Sequence, residues 1–400
     1  MMEIKEQILT LSEKFFDEIN RFREEMHAHP ELSFEEHETA ERIKRKLEEL
    51  GISYEDGWAG TGIVAWLEGG KTGNGCIALR ADIDALPITE KNQTDYVSKN
   101  PGKMHACGHD VHTSCLLGAA KILKELKEHW AGKIIFIFQP GEEKFPGGAS
   151  LLIKEGLLKK FNPKKIFAQH VSPEMEVGQL GFKEGMYMAS ADEIYLKIIG
   201  KGGHGALPEK NIDPVIISAH LLLAMQNVTS RFAPPTIPSV LSFGKVEAKG
   251  ATNVIPDEVC IEGTFRTMNE EWRAKAHELI ENIAKSTAKS FGGECEIDIK
   301  KGYPFLQNDK ELTLSARNSA KELLGEDNIV ELDLRMTAED FSYYSQEMPS
   351  CFYRLGVGNK EKGITASVHS PHFDIDKKAI SIGMASLAFI ALAEILQVST

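Results

Sequence analysis

The sequence predicts an α/β protein, in which a three-layer α/β/α domain with a mostly parallel sheet is interrupted by an inserted two-layer α+β domain. Over the first 187 residues, short apolar runs alternate with long amphipathic helices, which is typical of a sheet covered by helices. From residue 188 the pattern changes to two helices and four strands, which suits a small α+β sandwich. After Gly302 the first pattern returns. We therefore expect one discontinuous domain, 1–187 and 302–400, around an insertion at 188–301.

In the larger domain, helical spacing predicts an opening helix over the first 28 residues that ends before Pro30. A second helix is expected at about 110–128, with Asp110 as its N-cap. A closing helix is expected over the apolar stretch 379–393. This stretch is shorter than the roughly 18 residues that span a bilayer, so it is interpreted as a buried core helix. Four apolar runs are interpreted as strands, at 63–67, 77–79, 134–138 and 166–168.

The inserted domain begins with a strand that alternates apolar and polar residues, at 194–199, followed by the glycine-rich turn GKGGHGALP. The remaining elements that the pattern predicts are helices at 214–228 and Glu270–Ser290 and strands at 240–246, 259–266 and 295–299.

Composition narrows the class of protein. The formal net charge of −13 argues against a nucleic-acid surface or an anionic membrane as partner. The six cysteines have no disulfide-framework spacing, which favours a reducing compartment. The opening MMEIKEQILT has no apolar signal core. We therefore expect a cytoplasmic protein.

The stretch MHACGHDVHTS, residues 104–114, is the densest group of potential metal ligands. Cys107 and His109 are two residues apart, so an extended loop could present both side chains to one ion. His112, three residues later, could orient such a ligand. The alternative is a helix N-terminus with incidental polar residues.

Three further strand ends carry chemically useful side chains. QPGEE follows the apolar run that ends at Phe138, so one of Glu142 and Glu143 could bind metal while the other acts as a base, although paired glutamates are also common on solvated surfaces. RADIDALP places Asp82 and Asp84 at another strand end, where they could orient a ligand or cap a turn. A third strand is followed by His170.

Two more histidine-bearing segments complete the set. SVHSPHF offers His369 and His372 near the C-terminus, and His204 lies in the glycine-rich turn of the insertion. Each is weak evidence alone, and for His204 the residues by themselves slightly favour a flexible turn with an exposed histidine over a functional role. Taken together, the strand ends offer the five or six ligands that two divalent ions need.

These segments together resemble the amidohydrolase branch of the aminoacylase/carboxypeptidase metallopeptidase family, which includes hippurate hydrolase, N-acetyldiaminopimelate deacetylase and plant indoleacetyl–amino-acid hydrolases. The resemblance covers nearly the whole chain. The matching stretches are HAHPELSFEEHETA (27–40), LRADIDALPITE (79–90), MHACGHDVHT (104–113), FQPGEE (138–143), QHVSPEMEVG (169–178), GKGGHGALP (200–208), NVIPDE (253–258), GTFRT (263–267), AEDFS (338–342) and VHSPHFDI (368–375).

The resemblance implies a role for each matching residue. It implies metal ligands at Cys107, His109, Glu143, His170 and His369. It implies Glu142 as general base and Asp84 as the residue that orients the metal site. His204, Asn253 and Arg266 match substrate-contacting positions of a lid, the histidine acting in its own or a neighbouring subunit's site. The wider family usually has histidine at the position of Asp82, so Cys107 is expected to compensate.

The activity that the resemblance implies is hydrolysis of the amide bond of N-acyl-L-amino acids, with acetyl, benzoyl or similar acyl groups, by metal-activated water with Glu142 as base. It implies two divalent ions per subunit, zinc or manganese, with cobalt or nickel as alternatives. It also implies a lid domain that forms a homodimer or homotetramer. A carboxypeptidase or dipeptidase, an N-acetyldiaminopimelate deacetylase and a non-catalytic metal-stabilised dimer stay open as alternatives.

Overall fold

The computed structural model describes residues 2–398, and the chain divides into two compact units. The first unit comprises Met1–Gly185, Gln307–Asp333 and Tyr343–Thr400, and the second comprises Met186–Leu306 and Leu334–Ser342. The second unit therefore contains the range 188–301 and adds Leu334–Ser342, which the sequence pattern assigns to the surrounding domain. The added segment joins through backbone contacts, because the amide of Ala189 donates to the carbonyl of Arg335 at 3.1 Å. Such contacts leave no mark on apolar periodicity.

The strands vary in length from two to twelve residues. In chain order they are β1 (Ser53–Trp58), β2 (Gly62–Glu68), β3 (Lys71–Asp82), β4 (Ala131–Gln139), β5 (Ile166–Glu176), β6 (Leu180–Phe182), β7 (Gly185–Met188), β8 (Asp192–Ile199), β9 (Gly203–His204), β10 (Ser239–Ala248), β11 (Val254–Ile255), β12 (Glu258–Thr267), β13 (Glu294–Lys301), β14 (Leu306–Asn308), β15 (Ile329–Glu331) and β16 (Ser350–Gly358).

The helices include the three predicted for the larger domain and the two predicted for the insertion. In chain order they are α1 (Met2–Ala28), α2 (His37–Glu49), α3 (His109–Glu125), α4 (Gly148–Lys154), α5 (Leu157–Phe161), α6 (Pro214–Asn227), α7 (Glu270–Ser290), α8 (Lys310–Leu324), α9 (Ser342–Glu347) and α10 (Lys378–Val398).

The first unit is built on an eight-stranded sheet in the order β1-β2-β4-β3-β5-β16-β6-β15. Its centre, β4-β3-β5-β16, is parallel throughout. Antiparallel pairs, β1 with β2, β2 with β4 and β16 with β6, flank this centre. The sheet is thus mostly parallel, as predicted, with antiparallel additions that the sequence pattern did not reveal.

Both faces of this sheet are covered. Ile134, Phe136 and Phe138 of β4 join the core cluster that α1, α3 and α10 share, while the residues between them are equally buried on the opposite face. On that opposite face Phe161 of α5 packs against Trp66 of β2, with ring centroids 5.7 Å apart. The three-layer α/β/α prediction is therefore confirmed.

The last helix, α10, is longer than the apolar stretch that predicted it. By length and composition alone, its segment 378–396 could cross a membrane, with a mean hydropathy of 2.1. However, 83% of that window is buried inside the protein, where it packs on α3 and β3. The helix is therefore explained as a core element of the first unit.

The second unit is a two-layer α+β sandwich with a four-stranded antiparallel sheet in the order β10-β12-β8-β13. Helices α6 and α7 cover one face, where Ile194, Leu196 and Ile198 of β8 are buried. Helix α6 begins at Pro214, and the residue before it, Asp213, is the N-cap, whose side chain accepts hydrogen bonds from the first-turn amides. A separate two-stranded ribbon, β9 with β11, carries the glycine-rich turn.

Candidate metal centre

Polar side chains of the first unit gather at the carboxyl ends of its central parallel strands. Asp82, the last residue of β3, lies opposite Gln139, the last residue of β4. The register of β3 with β5 places Arg80 opposite Ala168, two residues before His170. These strand ends therefore share one edge of the sheet, which is where α/β sheets place their functional sites.

Cys107 and His109 lie at the junction between a loop and α3, which begins at His109. Between them Gly108 adopts a left-handed conformation, with φ of +79°, and an added Cβ there would lie 2.6 Å from Val171. Only glycine fits such a close approach to β5. As a result, the sulfur of Cys107 lies 3.4 Å from Nε2 of His170.

The predicted N-cap role of Asp110 is wrong, because Gly108 occupies that position and Asp110 lies in the first turn. The buried carboxylate of Asp110 instead forms an ion pair with Arg23, whose Nε lies 2.7 Å away, and a hydrogen bond with Nδ1 of His27 at 2.8 Å. Burial alone would raise the pKa of Asp110, but these two partners lower it. Asp110 therefore fastens α1 to the start of α3, directly beside His109.

The ring of His109 is oriented by Asp84. Its Nδ1 bonds Oδ1 of Asp84 at 3.0 Å, while Oδ2 of Asp84 accepts from the Ser33 hydroxyl at 2.6 Å and from the Glu143 amide at 3.0 Å. Burial alone would lower the pKa of His109, but nearby Asp82 raises it. The Nε2 atom of His109 is buried without a hydrogen-bond partner among the described residues. This is the arrangement of a metal-binding histidine whose other nitrogen is fixed by a carboxylate.

Asp82 and His112 form a closed pair beside this ring. Nδ1 of His112 bonds Oδ1 of Asp82 at 2.5 Å, and Nε2 of His112 accepts from the amide of Val171 at 2.9 Å. The other oxygen of Asp82 accepts from Arg80 at 2.7 Å. Both nitrogens of His112 and both oxygens of Asp82 therefore have partners within the protein, and these two side chains form a further group with His109, in which the potential ligand atoms lie within 4.8 Å of one another.

His170 presents its Nε2 atom toward Cys107. Its Nδ1 donates to the carbonyl of Val171 at 2.8 Å, which leaves the lone pair on Nε2. Burial, together with the positive charge of Arg354, keeps the pKa of His170 well below its usual value. The ring is therefore neutral, which is the form that binds metal ions.

Glu143 and His369 meet on the other side of Cys107. Nε2 of His369 lies 3.2 Å from Oε1 of Glu143. The hydrogen bond with Cys107, followed by that with Glu143, raises the pKa of His369 to about 10. His369 has a φ of +63°, a conformation uncommon for residues other than glycine, and its amide donates to the carbonyl of Ala106 at 2.8 Å. The backbone is thus held so that this side chain faces the cluster.

The five side chains that the resemblance implies as ligands fall into two overlapping triads. Cys107, His109 and His170 form one and Cys107, Glu143 and His369 the other, with the potential ligand atoms of each triad within 4.8 Å of one another. Nε2 of His109 is buried without a hydrogen-bond partner among the described residues, and Oε1 of Glu143 is in contact with Nε2 of His369. A buried imidazole nitrogen without a partner, surrounded by thiol, imidazole and carboxylate donors, fits a site for divalent metal ions.

Glu142 lies at the edge of this cluster. It is 7% exposed, and one of its carboxylate oxygens lies within 4.8 Å of the potential ligand atoms of His109 and Glu143. The two adjacent glutamates therefore share His109 as a neighbour, and Glu143 also lies near Cys107 and His369.

Two other histidines of the same motifs lie outside the triads. His105 is buried, both its nitrogens lack a partner among the described residues, and burial lowers its pKa to about 4. His372 is exposed. Its position contrasts with that of His369, which lies within reach of Glu143.

The predicted substrate-contacting residues all lie in the second unit. His204 of β9 is opposite Val254 of β11, and the Asn253 carbonyl accepts from the amide of Gly205 at 2.9 Å. Nδ1 of His204 accepts from the amide of Ala206 at 3.0 Å, so the neutral ring carries its hydrogen on the exposed Nε2. His204 and Asn253 are thus neighbours on the ribbon.

Arg266 lies elsewhere in the second unit, on β12 of the four-stranded sheet. Its Nε donates to the hydroxyl of Thr264 at 3.1 Å. Burial lowers the pKa of this half-buried guanidinium, which still leaves it charged at neutral pH.

Sequence reasoning missed the residues that support the site from behind. Ser33 and Glu36 lie in the motif HAHPELSFEEHETA, to which no role was attached, and they contact Asp84 and the amide of Gly141. One feature could have indicated a role for Glu36. It occupies the N-cap of α2, a position where serine, threonine and aspartate are preferred over glutamate.

Comparison with known proteins gives consistent matches. Residues 78–393 match the family described as Peptidase family M20/M25/M40. The IAA-amino acid hydrolase ILR1-like 4 of Arabidopsis thaliana is 38% identical over 99% of this chain and 90% of its own length. The N-acetylcysteine deacetylase of Bacillus subtilis is 37% identical over 95% of this chain and 98% of its own.

A solved structure from the same family is also similar to this chain. A Bacillus subtilis protein described as a dinuclear metal binding peptidase from the M20 family superposes with a TM-score of 0.81 at 35% identity, covering 95% of this chain and 99% of its own.

Proposed function

This chain belongs to peptidase family M20/M25/M40, as a metal-dependent amidohydrolase, and from that premise we propose that it cleaves the amide bond of N-acyl-L-amino acids. The observation that carries the proposal is the pair of triads around Cys107 with the buried Glu142 beside them. An acyl group such as acetyl or benzoyl is proposed, in line with relatives described as an IAA-amino acid hydrolase and an N-acetylcysteine deacetylase.

We propose that two divalent ions would be held by the residues of the two triads, Cys107, His109, Glu143, His170 and His369. A thiolate with imidazoles favours zinc, whereas the carboxylate and imidazole set also suits manganese, and cobalt and nickel are the further alternatives. When bound, the ions supply Lewis-acid polarisation of the acyl carbonyl and lower the pKa of water from about 15.7 toward 7.

Glu142 carries the proton in the proposed reaction. Its carboxylate oxygen takes a proton from the attacking water, and the resulting carboxyl O–H gives that proton to the leaving nitrogen. The C–N bond then breaks, which releases a carboxylic acid and a free amino acid. Gly141 and Glu143 are held by backbone hydrogen bonds on either side of Glu142, so this carboxylate is oriented before substrate arrives.

We propose substrate-binding roles for three residues of the second unit. The Nε2–H of His204 would donate to the oxygen on which charge develops, a contact typically worth about 3–4 kcal/mol. The guanidinium of Arg266 would bind the free α-carboxylate of the substrate, and the side chain of Asn253 would hydrogen-bond the substrate beside His204. Replacing Arg266 by lysine should raise KM for N-acyl amino acids. An unchanged KM would remove Arg266 from this role.

The decisive experiment is Glu142→Gln, with the exposed Glu155→Gln as matched control. The purified chain, loaded with zinc, manganese or cobalt, is assayed on N-acetyl-, N-benzoyl- and indoleacetyl-amino acids and on dipeptides. Turnover of the Glu142 variant should fall by about 10²–10⁴-fold while metal content stays that of wild type. Near-wild-type turnover would refute the assignment of the base. Turnover of peptides alone would favour a carboxypeptidase or dipeptidase.

We also propose that the chain forms a homodimer or homotetramer through the second unit. Val215, Ile216 and Leu223 of α6 are exposed apolar side chains, Leu223 by 72%. Strand β10 is an edge strand of the sheet. Leu223→Lys should shift the mass measured by light scattering toward the monomer, whereas an unchanged oligomer would place the interface elsewhere.

A further inference from the structure

We propose that Glu36 is a positioning residue for the general base, because it fixes the backbone of Gly141 and thereby the placement of Glu142. The inference rests on the proposed function for its catalytic consequence. Its structural part concerns only contacts within the first unit.

Glu36 is the N-cap residue of α2, yet its side chain makes no capping hydrogen bond. The capping is done by Glu31, whose two carboxylate oxygens accept from the amides of Glu38 and Thr39 at 3.2 and 2.8 Å. The carboxylate of Glu36 therefore does not cap the helix. It points into the protein, where it is completely buried.

The buried carboxylate accepts three hydrogen bonds. Its Oε1 accepts from the amides of Gly141 and Phe34, each at 2.9 Å, and its Oε2 accepts from the hydroxyl of Thr61 at 2.6 Å. A buried amide without an acceptor costs about 1–3 kcal/mol, so the bond from Gly141 is a strong constraint on where that residue can lie.

Gly141 has little freedom around this bond. Its φ is +62°, its carbonyl accepts from the amide of Gly148 at 3.1 Å, and an added Cβ would lie 2.3 Å from the ring of Phe34. Phe34 itself has a φ of +67°, and its own amide bonds the same Oε1 of Glu36. The turn at Phe34 and the turn at Gly141 are therefore joined through one carboxylate.

The segment 141–143 is also held at its other end, at Glu143, by a hydrogen bond to a buried carboxylate. The amide of Glu143 donates to Oδ2 of Asp84 at 3.0 Å, and Ser33 donates to that oxygen at 2.6 Å. Glu142 thus lies between two amides, each bonded to a buried carboxylate. The segment 33–36 reaches both anchors, through Ser33 to Asp84 and through Glu36 to Gly141. Removal of the Glu36 carboxylate therefore frees the end of the segment at Gly141, while the end at Glu143 stays bonded to Asp84.

The role depends on the reach of the side chain and not on its charge. Burial and the nearby Asp84 raise the pKa of Glu36 to about 7. Glutamine has the same reach, since its oxygen can accept from both amides and its nitrogen can donate to the oxygen of Thr61. Aspartate keeps the charge but is one methylene shorter. The two conservative variants therefore separate position from charge.

The test uses the full chain with Glu36→Ala, Glu36→Asp and Glu36→Gln, and Glu394→Ala as the matched control. Glu394 is equally buried in the first unit and bonds Lys165 and Ser315, away from the candidate site. We expect kcat to fall at least tenfold in the alanine and aspartate variants, with KM and zinc affinity within about threefold of wild type. Glu36→Gln should lie within threefold of wild type in kcat, and the control should lose stability but not turnover.

Hydrogen exchange supplies a readout that needs no activity. In the alanine and aspartate variants, peptides covering 139–143 should exchange at least tenfold faster, while peptides of β5 stay unchanged. Unaltered exchange at 139–143, or a kcat equal to that of Glu394→Ala, would overturn the proposal. If Glu36→Ala does not fold, Glu36→Asp against Glu36→Gln decides. Should the wild type cleave no N-acyl amino acid, the proposed function fails, and exchange still decides whether Glu36 fixes the segment.

Discussion

Replacing Asp84 by asparagine tests how the candidate metal centre is oriented. Oδ1 of Asp84 bonds Nδ1 of His109, and Oδ2 accepts from Ser33 and from the amide of Glu143. Asparagine has a single acceptor oxygen. If that oxygen keeps Ser33 and Glu143, the amide nitrogen faces Nδ1 of His109, which must then accept. The hydrogen moves to Nε2, and the lone pair that faces Cys107 and Glu143 is lost.

The expected size of the effect follows from these contacts. In the opposite orientation the oxygen keeps His109, but the amide nitrogen faces Ser33 and the amide of Glu143, so the two hydrogen bonds that these groups now donate to Asp84 are lost. Each bond to the charged Asp84 is worth about 1.5–3 kcal/mol. Loss of the partner that orients a ligating histidine typically costs 10–100-fold in metal affinity, or about 1.4–2.7 kcal/mol. The free energy of one such hydrogen bond is thus similar to the free energy of the lost metal affinity. We therefore expect Asp84→Asn to weaken zinc binding by 10–100-fold.

The assay is competition with a chromophoric chelator, with circular dichroism to confirm that the variant is folded. Ser33→Ala is the matched control, because it removes one donor to Asp84 and leaves the bond to His109. We expect its zinc affinity to stay within about threefold of wild type. A folded Asp84→Asn variant that binds zinc as tightly as wild type would refute the orientation of His109 by Asp84.

Three further predictions concern stability, each measured by urea unfolding. The first concerns Glu36 in metal-free protein, whose pKa is about 7 in the folded state and 4.5 in the unfolded state. The unfolded state therefore loses this proton first, and the free energy of unfolding should fall by up to about 3 kcal/mol as the pH rises from 4.5 to 7. Glu36→Gln should show no such fall, and an equal fall in this variant would contradict the raised pKa of Glu36. Asp192→Asn removes the bidentate partner of buried Arg273 and should cost about 3 kcal/mol at pH 7. Because the folded-state pKa of Asp192 is lowered, that difference should narrow below pH 3.8, and a constant difference would count against it. Gly118→Val should cost about 1–3 kcal/mol, since an added Cβ already lies 2.6 Å from Met384, and an unchanged midpoint would show that α3 and α10 separate easily.

The fold was predictable where apolar periodicity is strong. The helix predicted at Glu270–Ser290 has those bounds, because its buried face recurs at helical spacing. The outer strands β1, β6 and β15 were not predictable. β1, with the sequence SYEDGW, has no fully buried residue, and β6 and β15 have three residues each. Such strands form because a neighbour offers free hydrogen-bonding groups, which no local pattern records.

The candidate site was predictable at its strand ends and in the step from Cys107 to His109. The hydrogen bonds and ion pairs that hold these residues in place were not predictable. Asp110 looked like an N-cap because aspartate before an apolar helix usually is one, but Arg23 and His27, more than 80 residues earlier, offered stronger partners. In the same way, nothing in SVHSPHF separates His369 from His372, and only the family resemblance favoured the first.

The amide of His369 donates to the carbonyl of Ala106, so the two sides of the candidate site are joined across more than 260 residues of chain. We expect a contact between residues so far apart in sequence to form late in folding, because closing the long intervening segment has an entropic cost. During synthesis, the nascent chain has Cys107, His109 and His170 long before His369 is made. In the proposed metal centre, an ion captured at that stage would therefore meet an incomplete set of ligands, because the triad of Cys107, Glu143 and His369 still lacks its last member.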